Sequence, residues 1–220
     1  GVGCAFDRDI LHFIAQDRGG MPFSCDSLVE DYELGLLIHE MGGRPVLAYH
    51  HGHDGALIAT RALFPTTMDT AGRQKTRWLT GIALAGWDRM GWRGGPVEYW
   101  MRLHDRRSII AALVLATGYA LMLLSAVMWV IAPDAPVRNE EPILPLMAGL
   151  CGAMLLWRLL VRAAFVTRRY GWRQGLWSIA RQPVANMVAI MAARRAVAHY
   201  ARHCFGRPLT WDKTAHKAHD

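Results

Sequence analysis

Two adjacent carboxylates, Glu30 and Asp31, are the first residues whose position suggests acid–base chemistry. Asp31 is in helical phase with Leu34 and Ile38, so it would lie on the apolar side of a helix that starts here. A carboxylate on that side is costly unless it is hydrogen-bonded or used. A helix N-terminus favours the ionised form, which suits a general base. The alternative is that Asp31 is a second acid that serves the helix dipole.

A second group, Gln74, Arg77 and Trp78, falls at positions i, i+3 and i+4, which is one face of a helix. The guanidinium of Arg77 can bind two oxygens of a diphosphate, and Gln74 can donate and accept hydrogen bonds beside it. The indole of Trp78 can stack on a sugar. The same spacing is typical of a basic interfacial helix anchored by a tryptophan, and spacing does not decide between the two.

Two further groups have the residue types of metal sites. Asp7-Arg8-Asp9 has the D-x-D form, and the alternative, which we favour, is the start of a helix, where acids are stabilised by the helix dipole. In the second group at most some side chains could converge on a metal, since adjacent strand residues point to opposite faces, and an exposed hairpin turn is the alternative that we favour. The members of the second group are His50, His51, His53 and Asp54.

Mixed α/β structure is predicted for residues 1 to about 107, which carry these groups. Ser27 to Glu30 has the capping-box pattern of a helix start, and Gly42-Gly43 is expected to end that helix. Residues 44–51 and 56–63 are predicted to be strands. Thr67 or Asp69 is predicted to cap a long helix that carries the Gln74–Trp78 group.

Two apolar runs predict a transmembrane hairpin. Residues 109–131 contain no charge and are long enough to cross the roughly 30 Å hydrocarbon core. Residues 143–166 form the second run, with Arg158 and Arg162 close to one end, where they can reach the interface or face a partner. The alternative is a buried hairpin of a soluble protein. The basic flanks on the outer sides of the pair place both of them in the cytoplasm by the positive-inside rule.

Three segments are therefore predicted: a cytoplasmic domain (1–107), two transmembrane helices (108–167) and a cytoplasmic tail (168–220). Within the tail, residues 183–205 have too short an uncharged stretch to span a bilayer. Apolar and arginine-bearing faces favour an amphipathic helix on the anionic leaflet, with a methionine-bearing groove for a partner as the alternative.

The composition agrees with this division. The chain has 220 residues, 52% of them hydrophobic, and its net charge is 25 − 18 = +7. The hydrophobic fraction excludes a disordered chain. A positive charge of this size favours nucleic acid, an anionic membrane face or a phosphorylated substrate. Nucleic acid is the least favoured, because the basic residues cluster beside apolar spans instead of forming one stripe with aromatic residues.

The chain resembles membrane-embedded family 2 glycosyltransferases, and among them the bacterial phage N4 adsorption protein B-like group. The order Glu30-Asp31, then Gln74-x-x-Arg77-Trp78, then transmembrane helices is the most specific part of the resemblance. Other matching strings extend it over nearly the whole chain: Gly1-Val2-Gly3-x-x-Phe6, Ser27–Leu36, Ala59-Thr60-Arg61-x-x-Phe64-Pro65 and Trp211-Asp212-Lys213-Thr214-x-His216.

The resemblance implies the C-terminal part of a GT-A fold and inverting transfer from a nucleotide-sugar. It implies Asp31 as the general base beside Glu30. It also implies that Gln74, Arg77 and Trp78 bind the acceptor end and the departing diphosphate. Val29 stands where the family usually has threonine.

The family's metal-binding D-x-D lies upstream of a segment like Gly1–Gly3. We therefore expect a fragment without the donor- and metal-binding half, which would be inactive alone. A divalent cation, Mg²⁺ or Mn²⁺, is expected in the full-length protein, with no ligand from this chain.

The function expected from this resemblance is that of a hexosyltransferase of the bacterial inner membrane. It would move a sugar from a nucleotide-sugar to a glycan or lipid-linked acceptor at the cytoplasmic face. Its partners would be donor, acceptor, lipid bilayer and an outer-envelope export protein, but no nucleic acid. The alternative is a non-catalytic membrane scaffold for envelope polysaccharide export or phage adsorption.

Overall fold

The computed structural model describes residues 4–60, 65–132 and 143–209 as helices joined by loops. In chain order the helices are α1 (Arg8–Asp17), α2 (Glu30–Glu40), α3 (Met68–Leu79), α4 (Ala85–Met90), α5 (Pro96–Arg106), α6 (Ser108–Ile131), α7 (Ile143–Tyr170), α8 (Trp172–Ala180) and α9 (Gln182–Cys204). A π-helical segment, Thr80–Leu84, joins α3 to α4. The chain forms two compact units: Val114–Met187 is one, and the residues before and after it form the other.

The prediction of an α/β fold is wrong. The described residues contain no β-strand, and residues 44–60 form only one isolated antiparallel bridge, between His51 and Leu57. Apolar side chains of this segment, such as Val46 and Leu47, are exposed. A two-stranded hairpin is marginal without a third strand or a covering helix, and nothing in the described residues supplies either. Residues 61–63 of the second predicted strand lie outside the described residues.

Helix α2 starts at Glu30, two residues later than a cap at Ser27 would place its start, and by a different local structure. Val29 is the residue before the helix, and it provides no side-chain cap. Ser27 accepts a hydrogen bond from the backbone N–H of Val29 at 3.1 Å, which forms a turn before the helix. The capping box predicted for Ser27 and Glu30 is therefore wrong. The end of the helix is as predicted: it stops at Glu40, and Gly42 has a φ of 85°.

The core of the first unit forms where α9 meets α3 and α6. Leu79 of α3 and Ala112 of α6 pack with three alanines of α9, Ala192, Ala193 and Ala196. The side chains of Ala192 and Ala196 are completely buried. Because alanine has no side chain beyond Cβ, these positions let α9 come close to its neighbours. Val184 and Met187 in the first half of α9 are exposed, and a membrane-surface location of this helix stays a prediction.

Arg102 of α5 is a buried cation that joins three parts of the first unit. Its guanidinium donates hydrogen bonds to the carbonyls of Met90 and Gly91, both at 3.1 Å, and to the carboxylate of Glu40. One turn later, Arg106 lies over the rings of Trp87 and Trp92, at 4.8 and 4.5 Å from their centroids. Both arginines are therefore satisfied in part by protein groups that come from α2, α4 and the α4–α5 loop.

The second unit contains the apolar helices. Helices α6 and α7 are long and apolar enough to cross a bilayer, and their side chains lie mostly on the outside of the molecule. They form at the positions predicted from the sequence. Helix α8 packs against α7 at Gly175, where an added Cβ would contact Thr167. Asn186 donates a hydrogen bond to the Tyr119 hydroxyl at 3.1 Å.

Replacement of Arg102 by alanine is expected to destabilise the first unit by about 3 kcal/mol, because it leaves Glu40 and two backbone carbonyls without their donor. Arg107→Ala is the matched control, since Arg107 is exposed and lies on the same stretch of chain. The measurement is chemical denaturation of the purified protein in detergent. Equal stability of the two variants would contradict the role given to Arg102.

Candidate functional site

The first unit contains an arginine-rich cleft of about 460 Å³. Arg73 and Arg77 reach it from α3, and Arg195 and Arg202 from α9. No aspartate or glutamate is among its described lining residues. The remaining lining residues are Leu28, Thr76, Thr80, His199, Arg207, Pro208 and Leu209.

The contact between α3 and α9 places these arginines together. The Thr76 hydroxyl donates to the Gly72 carbonyl at 2.8 Å and lies 3.4 Å from the Ala192 carbonyl of α9. A Cβ on Gly72 would lie 3.4 Å from Nη1 of Arg195, an ordinary van der Waals distance, so this guanidinium lies beside α3. The hydroxyl of Tyr200 donates to Asp88 and ties α9 to α4. The burial of Ala192 and Ala193 thus fixes the neighbouring Arg195 at the cleft.

Two of the arginines are held by a carboxylate outside the lining. Asp69 accepts a hydrogen bond from Nη2 of Arg195 at 3.1 Å and from Nε of Arg73 at 2.9 Å. The hydrogen bond from Arg195 and the charges of both arginines lower the pKa of the Asp69 carboxyl below its ordinary value. In the described part of the chain, no carboxylate pairs with Arg202 or Arg207. The cleft therefore keeps an excess of positive charge.

Guanidinium groups concentrated in this way favour a ligand with several negative oxygens. Arginine presents a planar fork of donors that matches phosphate oxygens in pairs. A single carboxylate would neutralise only one of the charges in the cleft, whereas a diphosphate can contact several guanidiniums at once. The geometry is thus suited to a diphosphate or another phosphorylated group.

Asp31 lies in the first turn of α2, as predicted, but its side chain is exposed to solvent, so the predicted position on the apolar side of the helix is wrong. One of its oxygens accepts a hydrogen bond from the Tyr32 backbone N–H at 2.9 Å. Partial burial raises the pKa of this carboxyl, whereas the hydrogen bond from the Tyr32 N–H lowers the pKa. A general base must be in the ionised form, which the hydrogen bond from Tyr32 favours.

Asp31 does not line the arginine-rich cleft, but Leu28, three residues earlier, does. Three residues of chain span at most about 11 Å, so Asp31 starts close to the cleft wall. Glu30, beside it, is half-buried. Both predicted carboxylates thus lie in the first turn of α2, close to the wall of the arginine-rich cleft, and neither of them lines the cleft.

The Gln74, Arg77 and Trp78 group lies on α3, as its spacing predicted. Only Arg77 lines the cleft. Gln74 is half-buried, and Trp78 is exposed at 38% of its surface. Lys75, between them, is half-buried, and this burial lowers the pKa of its amine. Of the three residues assigned to diphosphate and acceptor binding, Arg77 is therefore the one that the cleft brings together with other cations.

Sequence reasoning missed the α9 residues of the cleft. Arg195, His199 and Arg202 stand at i, i+4 and i+7, one face of a helix, and that periodicity was the signal that could have found them. It also missed Glu33, which is buried and pairs with Arg89 at 3.2 Å beside a second cavity of about 400 Å³. Arg89 also donates a hydrogen bond to the Asp26 carbonyl at 2.7 Å, so the Glu33–Arg89 pair supports the loop before α2.

The groups with metal-like composition have structural roles. Asp7 caps α1 by accepting hydrogen bonds from the N–H groups of Asp9 and Ile10, so the prediction of a helix start is confirmed. Asp54 accepts from the N–H of Ala56 at 3.0 Å within the turn. Across the described ranges, no three His, Cys, Asp or Glu side chains group as a metal ion requires. Residues 211–216, the terminal part of the resemblance, lie outside the described residues.

Comparison with known proteins agrees with the resemblance. The family model described as "Glycosyl transferase family group 2" matches residues 1–161. The chain is also similar to "Bacteriophage adsorption protein B" of Escherichia coli (strain K12) and "Bacteriophage N4 adsorption protein B" of Escherichia coli O157:H7. Each is 29% identical over 241 aligned positions, which cover 98% of this chain and 32% of the relative. The chain thus spans about a third of the length of these relatives. No solved structure matches it.

Gly81→Ala is expected to disturb the wall that joins α2 to the cleft. A Cβ at Gly81 would lie 2.7 and 2.8 Å from the methyl carbons of buried Val29 and 3.2 Å from Cβ of Leu28. Overpacking of this kind costs about 1–3 kcal/mol. Gly35→Ala in α2 is the matched control, because its Cβ meets nothing within 4 Å. Denaturation curves should separate the two variants, and equal stability would contradict the tight contact.

Proposed function

The chain belongs to glycosyl transferase family group 2, and we propose that it is part of an inverting hexosyltransferase that takes its sugar from a nucleotide-sugar. The acceptor is a glycan or a lipid-linked sugar at the cytoplasmic face of the bacterial inner membrane. The observation that carries this proposal is the position of Arg77. This residue of the family-like motif lies in a cleft with four further arginines, which suits the diphosphate of such a donor.

In the proposed reaction, Asp31 accepts the proton of the acceptor hydroxyl while that oxygen attacks the anomeric carbon. The new bond joins the acceptor oxygen to the anomeric carbon, and the bond from that carbon to the diphosphate breaks. Its electron pair stays on the departing diphosphate oxygen. Attack from the side opposite the leaving group inverts the anomeric centre. A positioned base contributes typically 10²–10⁴-fold to such a step.

Arg77 stabilises the charge that develops on the departing diphosphate, because its fixed guanidinium fork faces the cleft. Gln74 and Trp78 belong to the same helix and bind the acceptor end in this proposal, and Glu30 assists Asp31. Leu28 supports the arrangement, since it lines the cleft and lies three residues before Asp31. A Mg²⁺ or Mn²⁺ ion in the native protein, held by residues outside the described part of this chain, belongs to the proposal as well.

The membrane part of the proposal rests on α6 and α7. Both helices have the length and composition of spans and expose their apolar side chains. Arg168 and Arg169 lie in the last turn of α7, and Arg106 and Arg107 precede α6, which favours a cytoplasmic location of both flanks. The catalytic part and the C-terminus would then face the cytoplasm, where nucleotide-sugars are available. An outer-envelope export protein is the proposed partner.

A second candidate function is a non-catalytic membrane scaffold for phage adsorption or polysaccharide export. The names of both relatives, which describe them as adsorption proteins, favour it. Such a scaffold would need the same helices but no ionised base at position 31. The two candidates therefore predict different effects of replacing the Asp31 carboxylate by an amide: sugar transfer is lost if the protein is the enzyme, and the function is kept if it is the scaffold.

Asp31→Asn in the native protein is expected to lower sugar transfer by at least 10²-fold, because the amide cannot accept the proton. Asp17→Asn, at the exposed end of α1, is the matched control and should keep full transfer. The measurement is incorporation of labelled sugar by membranes that contain equal amounts of each variant.

Retained transfer in Asp31→Asn would contradict the assignment of the base. The scaffold function is the better account if two results are found together: the native protein shows no sugar transfer, and membranes with Asp31→Asn support phage adsorption to the same extent as wild-type membranes. Loss of transfer together with normal membrane insertion supports the enzyme.

A further inference from the structure

The α9 side of the arginine-rich cleft contains cations that the family-like motif does not include. Arg195, His199 and Arg202 line the cleft from α9, and Arg207 lines it from the residues just after that helix. These positions are more than a hundred residues after Arg77 along the chain. The fold therefore adds a second set of cations to the one that the motif supplies.

The individual arginines differ in how they are held. Arg195 is fixed by its hydrogen bond to Asp69. Within the described residues, no side-chain hydrogen bond or ion pair engages Arg202 or Arg207. The backbone of the two residues is nevertheless joined, because the N–H of Arg207 donates to the carbonyl of Arg202 at 3.1 Å. Two guanidiniums on a defined turn are thus available to a ligand.

Charge density is the reason to expect a ligand at this place. Five guanidiniums line about 460 Å³, and Asp69, outside the lining, pairs with two of them, Arg73 and Arg195, so that the positive charges outnumber this carboxylate. Like charges brought this close repel one another, and a bound anion would relieve that repulsion. A diphosphate has the size and number of oxygens to engage guanidiniums from both helices, each in bidentate fashion.

We infer that α9 and the turn after it form part of a diphosphate-binding site, in which Arg202 and Arg207 bind phosphate oxygens from the α9 side while Arg77 binds from α3. The inference rests on the proposed function for the role of Arg77 and names the residues that complete the site. The diphosphate belongs either to a nucleoside diphosphate or to a polyprenyl diphosphate that carries the acceptor. Both present the same group to the arginines.

The test is binding of inorganic pyrophosphate to the native protein in detergent, measured by equilibrium dialysis at fixed salt. Arg202→Gln should raise the Kd about tenfold, because one charge-assisted hydrogen-bonding group is lost. Arg202→Lys keeps the charge without the fork and should give an intermediate Kd. Arg202 is exposed, so thermal unfolding of both variants should match wild type.

Arg194→Gln is the matched control. Arg194 is the neighbour of Arg195 on α9, is exposed and does not line the cleft. Its removal changes the net charge by the same amount, so its Kd for pyrophosphate should stay near that of wild type. Equal weakening by Arg194→Gln and Arg202→Gln would mean that only the overall charge matters, and it would overturn the site. An unchanged Kd in Arg202→Gln would overturn it too.

Competition experiments separate the two sources of the diphosphate. Uridine diphosphate in solution and vesicles that contain polyprenyl diphosphate are each tested for displacement of labelled pyrophosphate. Displacement by either one that is weaker in Arg202→Gln supports the site, and displacement by neither overturns it. These experiments test the α9 site independently of the proposed function. Asp31→Asn should leave pyrophosphate binding intact, so binding can persist even if Asp31 is not the base. Conversely, sugar transfer can depend on Asp31 even if Arg202 does not bind pyrophosphate.

Discussion

The close contact of α9 with α3 is the interaction on which the arginine-rich cleft depends. Ala192, Ala193 and Ala196 are buried against Leu79, and the Thr76 hydroxyl lies 3.4 Å from the Ala192 carbonyl. Larger side chains at these alanines would push the helices apart, because a packed interior leaves little room for added atoms. Since Arg195 and Arg202 lie on the same helix as these alanines, their place at the cleft is a consequence of this packing.

The electrostatics of the cleft follow from the same contact. Packing brings arginines from two helices together, and Asp69 neutralises part of their charge by holding Arg73 and Arg195. The excess that remains at Arg202 and Arg207 gives the cleft its preference for an anion with many oxygens. Leu28 links this charge to α2, because it lines the cleft just before the helix that carries Asp31. Buried Glu33 of α2 pairs with Arg89 and so supports the loop before this helix. At the C-terminal end of the same helix, buried Arg102 pairs with Glu40.

Features that depend on local sequence were predictable, whereas those that depend on distant contacts were not. The positions of α2, α3 and the two apolar helices follow from periodicity and length. The spacing of Gln74, Arg77 and Trp78 predicted one helical face, whereas the assignment of Arg77 to diphosphate binding came from the family resemblance. The predicted strands failed, because a strand exists only when another pairs with it, and residues 44–60 have one bridge. The cap at Ser27 failed because its hydroxyl bonds the N–H two residues later instead of three. The α9 arginines were missed because no local pattern shows that Ala192 meets Thr76.

A double-mutant cycle between Arg77 and Arg202 tests most directly whether α3 and α9 form one site. The Kd for pyrophosphate is measured for the native protein, for Arg77→Gln, for Arg202→Gln and for the double variant. Two residues that bind the same diphosphate are predicted to show a coupling free energy of at least about 0.5 kcal/mol. Strict additivity of the two effects would contradict a shared site on α3 and α9.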